Sequence, residues 1–359
     1  MSSSLSNPAN QHGRGAKSNA GGRYEGQVQE AFDDGWTEED APRKLTTVLS
    51  RENARRIVTR NDSPDIGFAQ SINPYRGCEH GCIYCYARPA HAYMGLSPGL
   101  DFESKLFFKP EAASLLEREL SKPGYRCESI HIGGNTDPYQ PVERKLKITR
   151  SVLEVLDRFN HPLSIITKSN LIVRDIDILG RMAARRLAGA AISITTLDRA
   201  LARDMEPRAA TPARRLDAIR QLTEAGVPTI AMFAPVIPGL NDHELEQVLE
   251  AARDAGATTA GYVTLRLPLE IKDLFREWLA EARPDRAARV MSLVRQSRGG
   301  RDYDPQWGSR MRGTGPVADL ISVRFNTAVK RLGLNQDDRR RDHTLFRVPS
   351  RSGEQLSLF

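Results

Sequence analysis

Leu163-Ser-Ile-Ile-Thr167 and Ala191-Ile-Ser-Ile-Thr195 are short apolar runs rich in β-branched residues, with the length of a buried strand. Outward from them the same kind of run recurs. Ala69-Gln-Ser-Ile-Asn73 and Ser129-Ile-His-Ile-Gly133 precede them, and Thr229-Ile-Ala-Met-Phe233 and Ala260-Gly-Tyr-Val-Thr264 follow. Amphipathic stretches of helical length lie between. Pro110–Leu120 spaces Ala113, Leu116 and Leu120 along one face, and Thr149–Phe159 does the same with Val152, Val155 and Leu156. Thr211–Ala225 carries Leu216, Ile219 and Leu222 and ends at Gly226, a helix stop, and His243–Ala255 carries Leu245, Val248 and Leu249. Strand–helix alternation repeated five or six times predicts an α/β fold with a parallel sheet and helices outside. No Gly-x-Gly-x-x-Gly accompanies it and no internal repeat is seen, so a partial parallel (β/α)6 barrel is expected rather than a dinucleotide-binding sheet.

The flanks differ. Residues 1–45 are rich in Ser, Asn, Gly and acidic residues, which predicts a disordered tail. The barrel is expected over 46–285 and a basic extension over 286–359. Within the extension, Arg286–Arg312 holds seven Arg and two Asp among glycines, with Tyr303 and Trp307; such a segment suits phosphate contact and base stacking. Helical periodicity returns over Val317–Leu332. The 359 residues carry 52 basic and 45 acidic side chains, a net charge of +7, which hints at a polyanionic partner. No run approaches the about 18 apolar residues of a membrane span, and Met1–Gly15 has no apolar core for a secretory leader. Four cysteines cannot form a disulfide framework, and a reducing, cytoplasmic setting is expected.

Three of those cysteines fall in Gly77-Cys78-Glu-His-Gly-Cys82-Ile-Tyr-Cys85-Tyr86. A C-x-x-x-C-x-x-C loop wraps three thiolates around one inorganic centre. Two centres fit the residues. A tetrahedral zinc needs a fourth ligand, for which His80 or His91 is at hand. A 4Fe-4S cube held by three cysteines leaves one iron without a protein ligand, open to a small molecule.

The spacing, with Tyr84 before the last cysteine, resembles the radical S-adenosylmethionine (SAM) superfamily. Asn73-Pro74-Tyr75-Arg76-Gly77, Tyr86-Ala-Arg88, Asp137-Pro138-Tyr139-Gln140-Pro141 and Val236-Ile-Pro-Gly-Leu-Asn-Asp242 extend the likeness to its spore photoproduct lyase-like subgroup, over about residues 60 to 270. The resemblance implies that Cys78, Cys82 and Cys85 ligate a 4Fe-4S cluster whose open iron chelates SAM. One electron then cleaves the cofactor, and a 5′-deoxyadenosyl radical takes hydrogen from a substrate, by implication damaged or modified DNA. The site is expected at the C-terminal ends of the strands. The electron would come from a donor such as flavodoxin or ferredoxin.

Further positions follow from the same resemblance. Gly133 and Gly134 match the glycines that hold the methionine amino group, with the usual glutamate absent and Asp137 nearby. Lys168 and Ser193 match contacts to the carboxylate and ribose, Ile237 and Gly239 the segment against adenine, and Tyr84 lies within the cluster loop. Glu206 offers a further polar contact. The lyase's hydrogen-returning cysteine aligns with Gly134 here. The departure puts spore photoproduct in doubt as the substrate; Cys127, seven residues earlier, reads as a buried thiol, and Tyr139 is an alternative relay. Finally, Gln355-Leu356-Ser357-Leu358-Phe359 resembles a bacterial sliding-clamp-binding peptide. Two other readings remain: the same chemistry on a protein or small molecule, and a non-catalytic metal-binding protein associated with DNA.

Overall fold

The computed structural model describes residues 13–24, 45–336 and 340–349. Ten strands occur among them: β1 Val48–Arg51, β2 Val58–Arg60, β3 Gln70–Ile72, β4 Tyr75–Arg76, β5 Lys105–Phe108, β6 Ile130–Ile132, β7 Leu163–Thr167, β8 Ala190–Ser193, β9 Thr229–Val236 and β10 Thr259–Thr264. All six runs read from the sequence are strands. They form a parallel sheet in the order β10-β9-β8-β7-β6-β3, and β2 adds an antiparallel edge to β3. The two edges do not pair, so the barrel is partial, as the sequence predicts. A small second sheet, β1-β5-β4, lies beside the segment that follows β3.

Burial alternates along the central strands. Ile130, Ile132, Leu163, Ile165, Ala190, Ile192, Ala231 and Phe233 point into the apolar core under the helices. His131, Ser164, Ile166, Met232 and Ala234 are half-buried on the opposite, concave face. Helices Ile148–Arg158, Pro212–Glu224 and Leu245–Asp254 close the core with Val152 and Leu156, Ile219 and Leu222, and Val248 and Leu249. Pro212 opens its helix at a position where no N–H is required, and Gly226, at φ +76°, ends it.

The flanking segments depart from expectation. Within the expected tail, residues 13–24 are packed on the protein, with Arg14, Ala16 and Ser18 buried. Pro284–Gln296 is a helix that buries Val290, Met291 and Val294. Helix Pro316–Arg331 lies where the periodicity of Val317–Leu332 predicts one, and it sends Ile321, Phe325 and Ala328 into the same core as the barrel. No helix among the described residues is long and apolar enough to cross a membrane.

Candidate active site

The cysteine loop leaves β3 at the C-terminal end of the sheet, where Gly133, Lys168 and the end of β8 also lie. Two glycines make its turns, Gly77 at φ +74° and Gly81 at φ +66°. Cys78, Cys82 and Cys85 are free thiols close enough to raise one another's pKa. Burial pushes all three up, most strongly Cys78 and Cys82; Asp137 adds to this for Cys78, and Glu206 for Cys82. Converged thiols in such a place become thiolates only beside a cationic centre. Among the described residues, no three His, Cys, Asp or Glu side chains gather around a single ion position. Three thiols on one short loop can serve three corners of an iron–sulfur cube. His80 Nδ1 lies 3.3 Å from Asp137, and His91 Nε2 lies 2.9 Å from the Lys105 carbonyl, while His91 Nδ1 is buried with no hydrogen-bond partner among the described residues.

Arg88 braces the loop from behind. Fully buried, it donates to the carbonyls of Gly81 and Cys82 at 3.1 and 3.0 Å and pairs with the buried Glu103 at 2.5 Å. Ile83 and Tyr84 share an apolar cluster with Met205, Ile237, Leu240 and the helix Ile271–Ala282.

Tyr84 places its hydroxyl on Glu206, which also accepts from Thr195 Oγ1 at 2.5 Å and from Arg215. Burial raises the Glu206 pKa, and Arg215 opposes that shift. Lys168 lies 5.7 Å from the centre of the Tyr84 ring. Its ammonium donates to Ser193 Oγ at 3.1 Å and faces the Ala234 carbonyl at 3.5 Å. Burial lowers the Lys168 pKa, while Cys82 nearby raises it. Lys168 and Ser193, read separately from the sequence, are thus one hydrogen-bonded pair.

Gly133, at φ +95°, has no room for a side chain: a Cβ would sit 2.5 Å from the Ile166 carbonyl. Gly134 presents its carbonyl to the Tyr86 hydroxyl, and Arg266, at the end of β10, lies over the Tyr86 ring at 5.1 Å. Asp137 has its oxygens taken. The Tyr139 amide, Thr167 Oγ1 and the Lys168 amide donate to it at 2.9, 2.6 and 2.8 Å. Burial opposes the charge, but His80 and these bonds hold the carboxyl down to about 2. Asp137 therefore ties the β6 exit to the β7 exit. Ile237 is buried, its amide held by Asn241, whose side chain also bonds the Thr195 and Pro235 carbonyls. Gly239, at φ +79°, gives its amide to Asp242.

Other sequence candidates lie apart. Cys127 is half-buried before β6, at the end of the strand opposite Gly133, and burial pushes its thiol up to about 11. Tyr139 is fully buried, with Arg174 5.8 Å from its ring. Gln355–Phe359 lies outside the described residues. Glu103, Arg215 and Arg266 were not singled out from the sequence; each acts through a partner distant in the chain.

The sequence matches the Radical SAM superfamily over residues 72–252. An uncharacterized protein of Mycobacterium tuberculosis is 37% identical over 231 residues, covering 64% of this chain and 68% of that one. One of Methanocaldococcus jannaschii is 31% identical over 173 residues, 48% of this chain and 62% of its own. Among solved structures, spore photoproduct lyase complexed with dinucleoside spore photoproduct superposes with a TM-score of 0.59 at 13% identity, covering 80% of this chain and 81% of that one. That last likeness is one of fold. The sequence match carries more: the chain belongs to the radical SAM superfamily, an enzyme family whose cofactors are a 4Fe-4S cluster and S-adenosylmethionine.

Proposed function

We propose that Cys78, Cys82 and Cys85 ligate the cluster and that the substrate is damaged or modified DNA, processed in a lyase- or repair-like reaction. When bound, the cluster and SAM supply the one-electron chemistry that generates a hydrogen-abstracting radical. The chain's own residues bind and orient. Lys168, held by Ser193, would offer a cation to the SAM carboxylate, and Ser193 would supply a hydroxyl to the ribose. Gly133, with no side chain, would let the backbone approach the methionine amino group, while the Gly134 carbonyl accepts from the Tyr86 hydroxyl. The backbone of Ile237 and Gly239, held by Asn241 and Asp242, would pack against adenine. Tyr84 floors the site, and Asp137 fixes the position of Lys168 through its amide.

The DNA reading is carried by the fold shared with spore photoproduct lyase over four fifths of the chain. The segment after Gln296 supports it. Arg298, buried, anchors that segment to the C-terminal end of β10 through the Thr264 hydroxyl and the Leu265 carbonyl at 2.8 and 2.7 Å. Arg301, Trp307 and Arg312 are left exposed beside the barrel rim. Phosphate contact and base stacking need that combination. A separate cavity of about 640 Å³ lies against the loop at His80 and is lined by Arg144, Arg199, Arg208 and Arg214. Its charge supports docking of an acidic electron carrier such as flavodoxin or ferredoxin. Four free thiols fit a reducing, cytoplasmic compartment.

The test is 5′-deoxyadenosine formation by anaerobically reconstituted protein with a chemical reductant, with and without ultraviolet-damaged oligonucleotides. We expect SAM cleavage that Cys82→Ala abolishes and that damaged DNA stimulates. Cleavage indifferent to every DNA but stimulated by a peptide or metabolite fraction would move the substrate to the other class.

A further inference from the structure

Residues 13–24 run behind the cysteine loop, on the side of Arg88, outside the matched residues 72–252. Their contacts are with buried groups. The amides of Gly15 and Ala16 donate to the two carboxylate oxygens of Glu103 at 2.9 and 2.8 Å. Arg14 reaches the Glu103 carbonyl at 2.6 Å, and also the Leu45 carbonyl and Thr47 Oγ1. Glu103 in turn holds Arg88, the side chain that grips the Gly81 and Cys82 carbonyls. Thr47 passes the connection to the loop's Glu79 at 2.5 Å. The fit is close: a Cβ on Gly15 would fall 1.7 Å from the Gly81 carbonyl oxygen. Ala16 is fully buried in the apolar cluster that contains Cys82 and Ile83. Past it, Ser18 bonds Glu277 at 2.7 Å, which fastens the segment beside helix Ile271–Ala282, and Arg23 makes a surface ion pair with Glu270 at 2.9 Å, of the kind that contributes little to stability.

A buried arginine–glutamate pair holds its geometry only when the remaining lone pairs are satisfied. Two amides from this segment do that for Glu103. Without them water reaches the carboxylate, and Arg88 loses the fixed partner that aims it at the loop.

We infer that Arg14-Gly15-Ala16 is a positioning strap for the cysteine loop, acting through Glu103 and Arg88, so that retention of the metal group depends on a segment far from the ligands in sequence. The inference rests on the assignment of Cys78, Cys82 and Cys85 as ligands. The strap does not touch SAM or substrate. Its effect is to hold three thiols at one spacing and to keep solvent from the loop's back.

Three full-length or trimmed chains test this, each purified and reconstituted without oxygen: Gly15→Ala, a deletion of residues 1–24, and Arg23→Ala as a control at the strap's outer end. Two readouts are independent of turnover, the rate at which a chelator removes iron and the amide exchange of residues 81–88. Loss of two amide bonds to a buried carboxylate is expected to speed both by about tenfold or more in Gly15→Ala and in the deletion. Arg23→Ala should match the unmodified chain. Exchange and iron release at the unmodified rates in the deleted chain would overturn the strap, even if Gly15→Ala alone behaved as expected, since that variant also disturbs Gly81 directly. Full iron in Cys82→Ala would instead overturn the ligand assignment and leave the exchange result to decide the strap separately.

Discussion

Glu206 is the residue on which the floor of the site rests. It is fully buried and accepts from Tyr84, Thr195 and Arg215, the last of these also buried. Removing one partner of such a set leaves the others in low dielectric without compensation. Glu206→Ala is therefore expected to destabilise the chain by about 3–5 kcal/mol, with a lowered urea midpoint. Adding Arg215→Met should recover part of the loss, because it removes the stranded charge. An unchanged midpoint in the single variant would show that the pair is not buried as described. Lys168, like Glu206, is close enough to Cys82 to shift its thiol, and its ammonium is held by Ser193.

At the scale of elements, the strands carry more than shape. His131 on β6 stacks on Phe68 at 4.2 Å and meets Ser164 of β7 at 2.9 Å, and His161, just before β7, bonds the Tyr125 hydroxyl at 2.9 Å. Burial lowers both imidazoles to about 4, from an ordinary 6.5. The sign follows from linkage. Unfolded chains take up protons below 6.5 that the folded sheet refuses until about 4, so stability is intact above 6.5 and falls through that window. Each histidine should cost up to about 3 kcal/mol by the lower end. Urea midpoints measured between pH 7 and pH 4 should decline, and His131→Phe should flatten the decline; a slope that the variant leaves intact would contradict the assignment.

The same elements show what the sequence makes legible. Short apolar runs mark all six parallel strands, three of them closed by Asn73, Gly133 or Lys168, because a buried strand needs little but apolar residues and an end. The short β1, β2, β4 and β5 are not marked, being two to four residues long and partly exposed. The Arg-rich stretch from 286 hides a helix, since Val290, Met291 and Val294 are diluted by arginines that face solvent. Arg298 reads as a phosphate contact, yet it is buried and bonded to carbonyls. The cysteine loop is legible because its ligands are local. Its braces, Arg88 with Glu103 and Tyr84 with Glu206, are 15 and 122 positions apart, and no local pattern announces such pairs.

Across the whole molecule, two large apolar clusters divide the work, and a small third one packs Cys78 with Ala87 and Phe102. One lies under the helices and holds the sheet. The other joins the cysteine loop to Ala16, to Ile237 and Leu240, and to helix Ile271–Ala282. The loop is thus embedded in segments from the start, middle and end of the described chain. The arrangement suits a centre that must keep three thiols fixed while one side of it stays open to a ligand.

Iron, sulfide and zinc counted per chain, in protein purified and reconstituted without oxygen and with Cys82→Ala alongside, decide whether these three thiols hold an iron–sulfur cube. About four irons and four sulfides with a reducible cluster spectrum, lost in the variant, are expected. One zinc per chain with no iron, or iron retained in full by Cys82→Ala, would rule the cube out.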